Sequence, residues 1–177
     1  MEPGDTAEDI LKSMVAQTRT ELSRLEVPEE DWETVLNKAS LVEREVNNDE
    51  YRSKAARAIE NRLEDGMTLG IDATLAYGLD KSGLDLTVSD LQSDHPYNTR
   101  KHLGLPPTPI ASPGLAAIKA VLDPEPGPWL YWVTVNFDTG ETLFAVTYAE
   151  HQENEAILDQ WLAENPTSSE PDSDDEG

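Results

Sequence analysis

Cysteine is missing from this 177-residue chain, which excludes disulfides, thiolate metal centres and cysteine nucleophiles together. Histidine is scarce. His95, His102 and His151 are scattered with no HxxxH pair, so no metal site is expected. The acidic tail residues Asp172, Asp174, Asp175 and Glu176 lack the glycine and spacing of a calcium loop. There is no glycine-rich phosphate loop and no GxSxG elbow. No apolar run approaches the roughly 18 residues needed to span a bilayer, and no signal peptide is visible at Met1. Positive charge is sparse as well: 13 basic against 36 acidic residues leave a formal net charge of −23. That balance argues against a nucleic-acid backbone or an anionic membrane surface as the main partner. No cofactor is expected.

What the chain does have is helical periodicity, four Trp and five Tyr, enough for a folded core. Thr6 is placed to cap a first helix to about Leu25, with Ile10, Leu11, Met14, Val15, Thr18, Leu22 and Leu25 as its inward stripe. Pro28 opens a second helix, to about Val46, with acidic Glu29, Glu30 and Asp31 in its first turn. A third helix is expected from Asn48 or Asp49 to Gly66. Residues 67–113 read as irregular and Pro-rich, with short helical pieces at Thr74–Leu79 and after Thr87. Ser112-Pro113 starts another helix, to Leu122. Trp129–Phe137 and Thr142–Val146 form a hairpin around Asp138-Thr139-Gly140-Glu141. Thr147-Tyr148-Ala149-Glu150 is a capping box for a last helix. The fold class is therefore α+β: a mainly helical domain with a β-hairpin and a long Pro-rich loop region. Residues 1–26 read as a lead helix joining an upstream region, 27–165 as the main domain and 166–177 as a solvated acidic tail.

One residue stands out chemically. At roughly 100° of rotation per residue, Trp32, Val35, Leu36, Ala39, Val42 and Val46 share an arc of the second helix. Glu43 falls inside that arc, and Glu45 points away from it. A carboxyl among hydrocarbon neighbours loses hydration of its ionised form, so its pKa is expected to rise and leave a proton donor near neutrality. The plainer alternative is a buried Glu43 paired with Arg57 or Arg62.

The surviving candidate is a carboxyl acid in a groove walled by aromatic, amide and Pro-rich loop residues, a description that suits carbohydrate chemistry, and a run of motifs accompanies it. They are Ala39-Ser40-Leu41-Val42-Glu43-Arg44-Glu45, Glu60-Asn61-Arg62-Leu63, Gly66-Met67-Thr68-Leu69, Asp72-Ala73-Thr74, Tyr77-Gly78 and Pro96-Tyr97-Asn98-Thr99. Gly104-Leu105-Pro106-Pro107-Thr108-Pro109-Ile110, Trp129-Leu130-Tyr131-Trp132-Val133 and Thr147-Tyr148-Ala149-Glu150-His151 with Asn154 follow in order. In this collinear order the chain resembles the catalytic region of the YceG-like endolytic murein transglycosylases. The resemblance implies cleavage of MurNAc–GlcNAc bonds in peptidoglycan glycan strands to give 1,6-anhydro-MurNAc ends, with a part in ending strand growth. It implies Glu43, the first Glu of the Val-Glu-x-Glu motif, as the catalytic acid. Asp72, Tyr97, Asn98, Thr99, Glu150, His151 and Asn154 are then candidates to line the glycan groove. It also implies a site on the outer face of the bacterial membrane, an anchor carried by a segment absent here, and cell-wall synthesis proteins as partners. One departure matters. The family's Gln-Ser-Asp-Pro-Thr is Gly70-Ile71-Asp72-Ala73-Thr74 in this chain, so one amide is lost. The alternative is a non-catalytic peptidoglycan-binding or wall-assembly module.

Overall fold

The computed structural model describes residues 6–166; the acidic-tail expectation for residues 167–177 falls outside them. The order of elements follows the sequence reading closely, because each boundary carries a local signal. Helix α1 (Ala7–Arg24) starts at a reciprocal box: the Thr6 hydroxyl accepts from the Asp9 N–H and the Asp9 carboxylate accepts from the Thr6 N–H. A short 3-10 turn, Glu29–Asp31, leads into α2 (Trp32–Glu45). Asn48 caps α3 (Asp49–Glu64), which stops before Gly66 at φ +65°. Helices α4 (Asp72–Leu79) and α5 (Val88–Leu91) are short, and α5 has a Thr87/Asp90 capping box. Helix α6 spans Leu115–Leu122, strands β1 and β2 span Tyr131–Asn136 and Glu141–Ala145, and α7 spans Tyr148–Glu164.

Two expectations need correction. The stripe assigned to α1 is not inward along its length: Leu11, Met14 and Val15 are 50–61% exposed, and only Leu22 is fully buried. Leu25 packs partly against the core, so α1 meets the body through its C-terminal end. An amphipathic pattern shows which face is apolar, and says nothing about whether a neighbour covers it. The second correction concerns α6, which begins after Gly114 rather than at Ser112-Pro113. The Gly114 N–H is taken by the Glu43 carboxylate at 3.0 Å, and its carbonyl accepts the first helical bond, from the Ile118 N–H.

The core is built around α2. Val35, Ala39, Leu41 and Val42 are all buried, with Ile59 of α3, Ile71, Ile110, and Ala117 and Ile118 of α6 in the same cluster. Helix α2 packs on α3, α4 and α6, so it is covered on several sides. Its buried polar residues fasten the Pro-rich loop. The Asn37 amide donates to the Pro106 carbonyl at 2.7 Å, and the Ser40 hydroxyl accepts from the Ile110 N–H at 3.0 Å. Helix α3 fastens the entry to the hairpin in the same manner. Asn61 donates to the carbonyls of Gly127 and Trp129, Arg62 to that of Leu130, and Arg57 to those of Pro124 and Glu125. The hairpin pairs Trp132 with Phe144 and Val133 with Leu143, with a bulge between Thr134 and Asn136. Helix α7 lies along β1, where Phe137 meets Trp161 edge-on at 5.3 Å.

Candidate active site

The two glutamates of the Val-Glu-x-Glu motif, at the C-terminal end of α2, have different surroundings. Glu43 is not set among hydrocarbon. Its carboxylate accepts from Arg52 Nη1 and from the Gly114 N–H, each at 3.0 Å, and its side chain stays 29% exposed. The partner is Arg52 on α3, not Arg57 or Arg62. Glu43 therefore pins α3 and the start of α6 to α2. The single-arc reading failed because α2 is buried on several sides, so no one arc defines its interior.

Glu45 is the enclosed carboxyl. The hairpin folds over the side of α2 that helical periodicity had turned toward solvent. From it, Trp132 donates its indole N–H to Glu45 Oε2 at 3.3 Å. Although the residue keeps some exposed surface, its carboxylate is desolvated, and this raises its pKa to about 7. The Trp132 hydrogen bond opposes the shift, the nearby charge of Asp72 reinforces it, and Arg62 and Arg44 oppose it. The last turn of a helix, where the dipole is negative, is also a poor place for an added negative charge.

Around Glu45 the structure gathers residues from distant motifs. The Arg62 guanidinium lies 5.1 Å from the Tyr131 ring and 5.0 Å from the Trp132 ring. His151 stacks on Tyr131 at 5.3 Å, and Tyr148 leans on the same ring at 5.9 Å. Burial lowers the His151 pKa, with Glu155 opposing. His151 Nδ1 is buried with no hydrogen-bond partner in the protein. Asn154 is half-buried one turn further along α7. Asp72 opens α4 and holds Arg100 through two hydrogen bonds at 2.5 and 2.8 Å. Sequence reasoning missed Trp132 and assigned Glu45 to the wrong side. The readable signal was the second Glu of the motif itself.

Three groove candidates turn out to be framework. Asn98 is fully buried, donating to the carbonyls of Leu91 and Ser93 and accepting from the Arg100 N–H. Thr99 is also buried, and its hydroxyl bonds Ile71 and Thr74. Glu150 accepts from the N–H groups of Val146 and Thr147 and completes the cap of α7. Asn98 and Thr99 have no free group to offer a sugar, whereas exposed Glu150 spends only Oε2 on the cap. Asn98 and Thr99 satisfy backbone that would otherwise be buried unpaired. Asn98→Ala strands two carbonyls and an N–H, so it is expected to cost about 1–3 kcal/mol, read as a lower denaturation midpoint. Tyr97 remains available on one side, its hydroxyl bonded to Thr108 at 2.6 Å and its ring 5.5 Å from that of Tyr77. Among the described residues no cluster of His, Asp and Glu has metal-site geometry.

Residues 1–157 match the YceG-like family profile. The chain is 35% identical over 154 residues to the endolytic murein transglycosylase of Bacillus subtilis (strain 168), covering 85% of this chain and 42% of that one. It is 32% identical over 127 residues to the endolytic murein transglycosylase of Streptococcus pneumoniae serotype 2, covering 69% and 23%. A crystal structure of a YceG-like protein from Listeria monocytogenes superposes with a TM-score of 0.70 at 34% identity, over 86% of this chain and 50% of that one. The chain thus spans less than half the length of these named relatives. With motif order, fold and extent of match in agreement, this chain belongs to the YceG-like family.

Proposed function

We propose that this domain cleaves the MurNAc–GlcNAc bond of peptidoglycan glycan strands by intramolecular transglycosylation, with Glu45 as its single acid and base. The observation that carries this reading is the Glu45 carboxyl, held to a pKa of about 7 by desolvation beneath the Trp132 hairpin. The protonated carboxyl donates to the glycosidic oxygen as the C1–O bond breaks. The sugar's own C6 hydroxyl then closes on C1 and gives its proton to the carboxylate, leaving a 1,6-anhydro end and restoring the acid. An ordinary glycosidase uses a second carboxyl, as base toward water or as nucleophile. Here the attacker is already part of the substrate, and its effective concentration is correspondingly high. The names of the relatives support the substrate class. Glu43, the acid that family resemblance singles out, is instead read as a structural carboxylate because Arg52 and Gly114 already occupy it.

Glycan strands lie outside the cytoplasmic membrane, so the reaction belongs on its outer face and fits the release of growing strands. A membrane anchor elsewhere in the full-length protein and wall-synthesis partners belong to the same reading. A binding-only module is the rival. It is favoured by Gly70, which stands at φ +62° beside Arg62 and has no amide to offer a sugar. Digestion of purified glycan strands decides between them. Anhydro-ended fragments in the mass spectrum support the proposal, reducing ends heavier by one water indicate a hydrolase, and binding without fragments indicates the module.

A further inference from the structure

Beside the Glu45 cluster, across Arg44, lies an open depression of about 630 Å³ between the end of α2, the face of α4 and the 95–97 loop. Its floor is small: Ala73 and Ala76 leave room where larger side chains would fill it. One wall is an aromatic pair. Tyr77 is 51% exposed and leans on Tyr97 at 5.5 Å. That pairing depends on Gly78. A Cβ there would stand 2.6 Å from the His95 ring and 2.7 Å from Tyr97 Cβ, so only glycine lets the loop carrying Tyr97 settle against α4. Arg44 also lines the depression; it is exposed and in no salt bridge among the described residues, although its charge acts on Glu45, and Asp80 shares the lining. Lys81, also at the rim, is already committed to Asp90 at 2.8 Å. In a chain of net charge −23, an exposed arginine without a salt bridge, lining a concave site together with an exposed tyrosine, is unusual.

We infer that this depression is a subsite for a carboxylate-bearing sugar residue, and that Arg44 is the specificity residue that reads its carboxylate. The exposed Tyr77 ring, tilted 50° against Tyr97, supplies an apolar face for the sugar ring, and Arg44 supplies a charge-assisted hydrogen bond to the anionic substituent. Arg44 and Ala73 line the depression, and the charges of Arg44 and of Asp72, the neighbour of Ala73, both act on the Glu45 carboxyl, so a ring seated here lies beside the proposed acid. The inference rests on the transglycosylase reading and extends it. In glycan strands the carboxylate has two sources: the lactyl group of MurNAc where the peptide has been removed, or the stem peptide where it is present. Chitin oligosaccharides carry neither.

The test measures equilibrium binding in the Glu45→Gln background, where no turnover consumes the ligand. Three ligands of matched length are compared: peptide-bearing glycan, peptide-stripped glycan and chitin oligosaccharide. A carboxylate-bearing ligand is expected to bind at least about tenfold tighter than chitin, in line with one charged hydrogen bond. Adding Arg44→Ala should bring that ratio to within about twofold, the loss falling on the carboxylate-bearing ligands, and Arg44→Lys should restore part of it. Tyr77→Ala should weaken all three ligands alike. Preference for both glycans assigns the carboxylate to the lactyl group or either source, and preference for the peptide-bearing one alone assigns it to the stem. A ratio that survives Arg44→Ala, or that is absent before the substitution, overturns the inference. Separately, wild-type chain is assayed for anhydro ends. Products formed without any Arg44-dependent preference sink the subsite alone. A preference without products sinks the catalytic reading and leaves a carboxylate-reading binder.

Discussion

Glu45→Gln is expected to remove anhydro-ended products, lowering turnover by about 10²–10⁴-fold, the range associated with losing a positioned proton donor. The amide keeps the shape of the side chain and still accepts from the Trp132 indole, so the hairpin should remain seated and glycan binding should survive. Glu43→Gln is expected to do the reverse. It takes the carboxylate charge from Arg52, which is 10% exposed and would keep Asp49 as its only charged partner. It also exchanges an acceptor for an amide beside the Gly114 N–H. The expected cost is about 1–3 kcal/mol of stability, with the folded fraction still turning over. Paired measurements of turnover and denaturation midpoint on both variants are the check. Intact turnover in Glu45→Gln with lost turnover in well-folded Glu43→Gln would return the acid to the first glutamate of the motif.

This reversal shows what the sequence could and could not convey. Signals that act within a few residues were legible. The Thr6, Thr87 and Thr147 caps, the stop at Gly66 and the turn before Glu141 put the helices and the hairpin within a few residues of their observed bounds. The site depended on contacts far apart in the chain. Trp132 reaches Glu45 across 87 positions, and the Gly114 N–H reaches Glu43 across 71. Periodicity reports which residues share a face, and α2 has buried residues on more than one. Asn98 and Thr99 misled for a related reason. A polar side chain in a Pro-rich loop looks available for a sugar until the unpaired backbone it must satisfy is known.

The buried Glu45 carboxyl also sets a pH dependence whose sign is fixed. Its pKa is about 7 in the folded chain against an ordinary value of 4.5. Below pH 4.5 both states hold the proton, and the group has no net effect. Between about 4.5 and 7 the unfolded chain has lost the proton while the native site retains it, so native stability falls as pH rises. Above about 7 the penalty is fully developed, at an upper value of about 3 kcal/mol. Glu45→Gln carries no such term. It should match the wild type in stability at pH 4 and exceed it at pH 8 by up to that amount, as read by denaturant unfolding at each pH. Comparing the two chains cancels the general repulsion expected from a net charge of −23. Turnover should follow the same proton, holding below neutrality and falling as pH passes about 7, because only the protonated carboxyl can serve the leaving oxygen. Parallel stability curves for the two chains across this range would mean that Glu45 is well hydrated in solution, and the proton donor would then have to be sought elsewhere in the cluster.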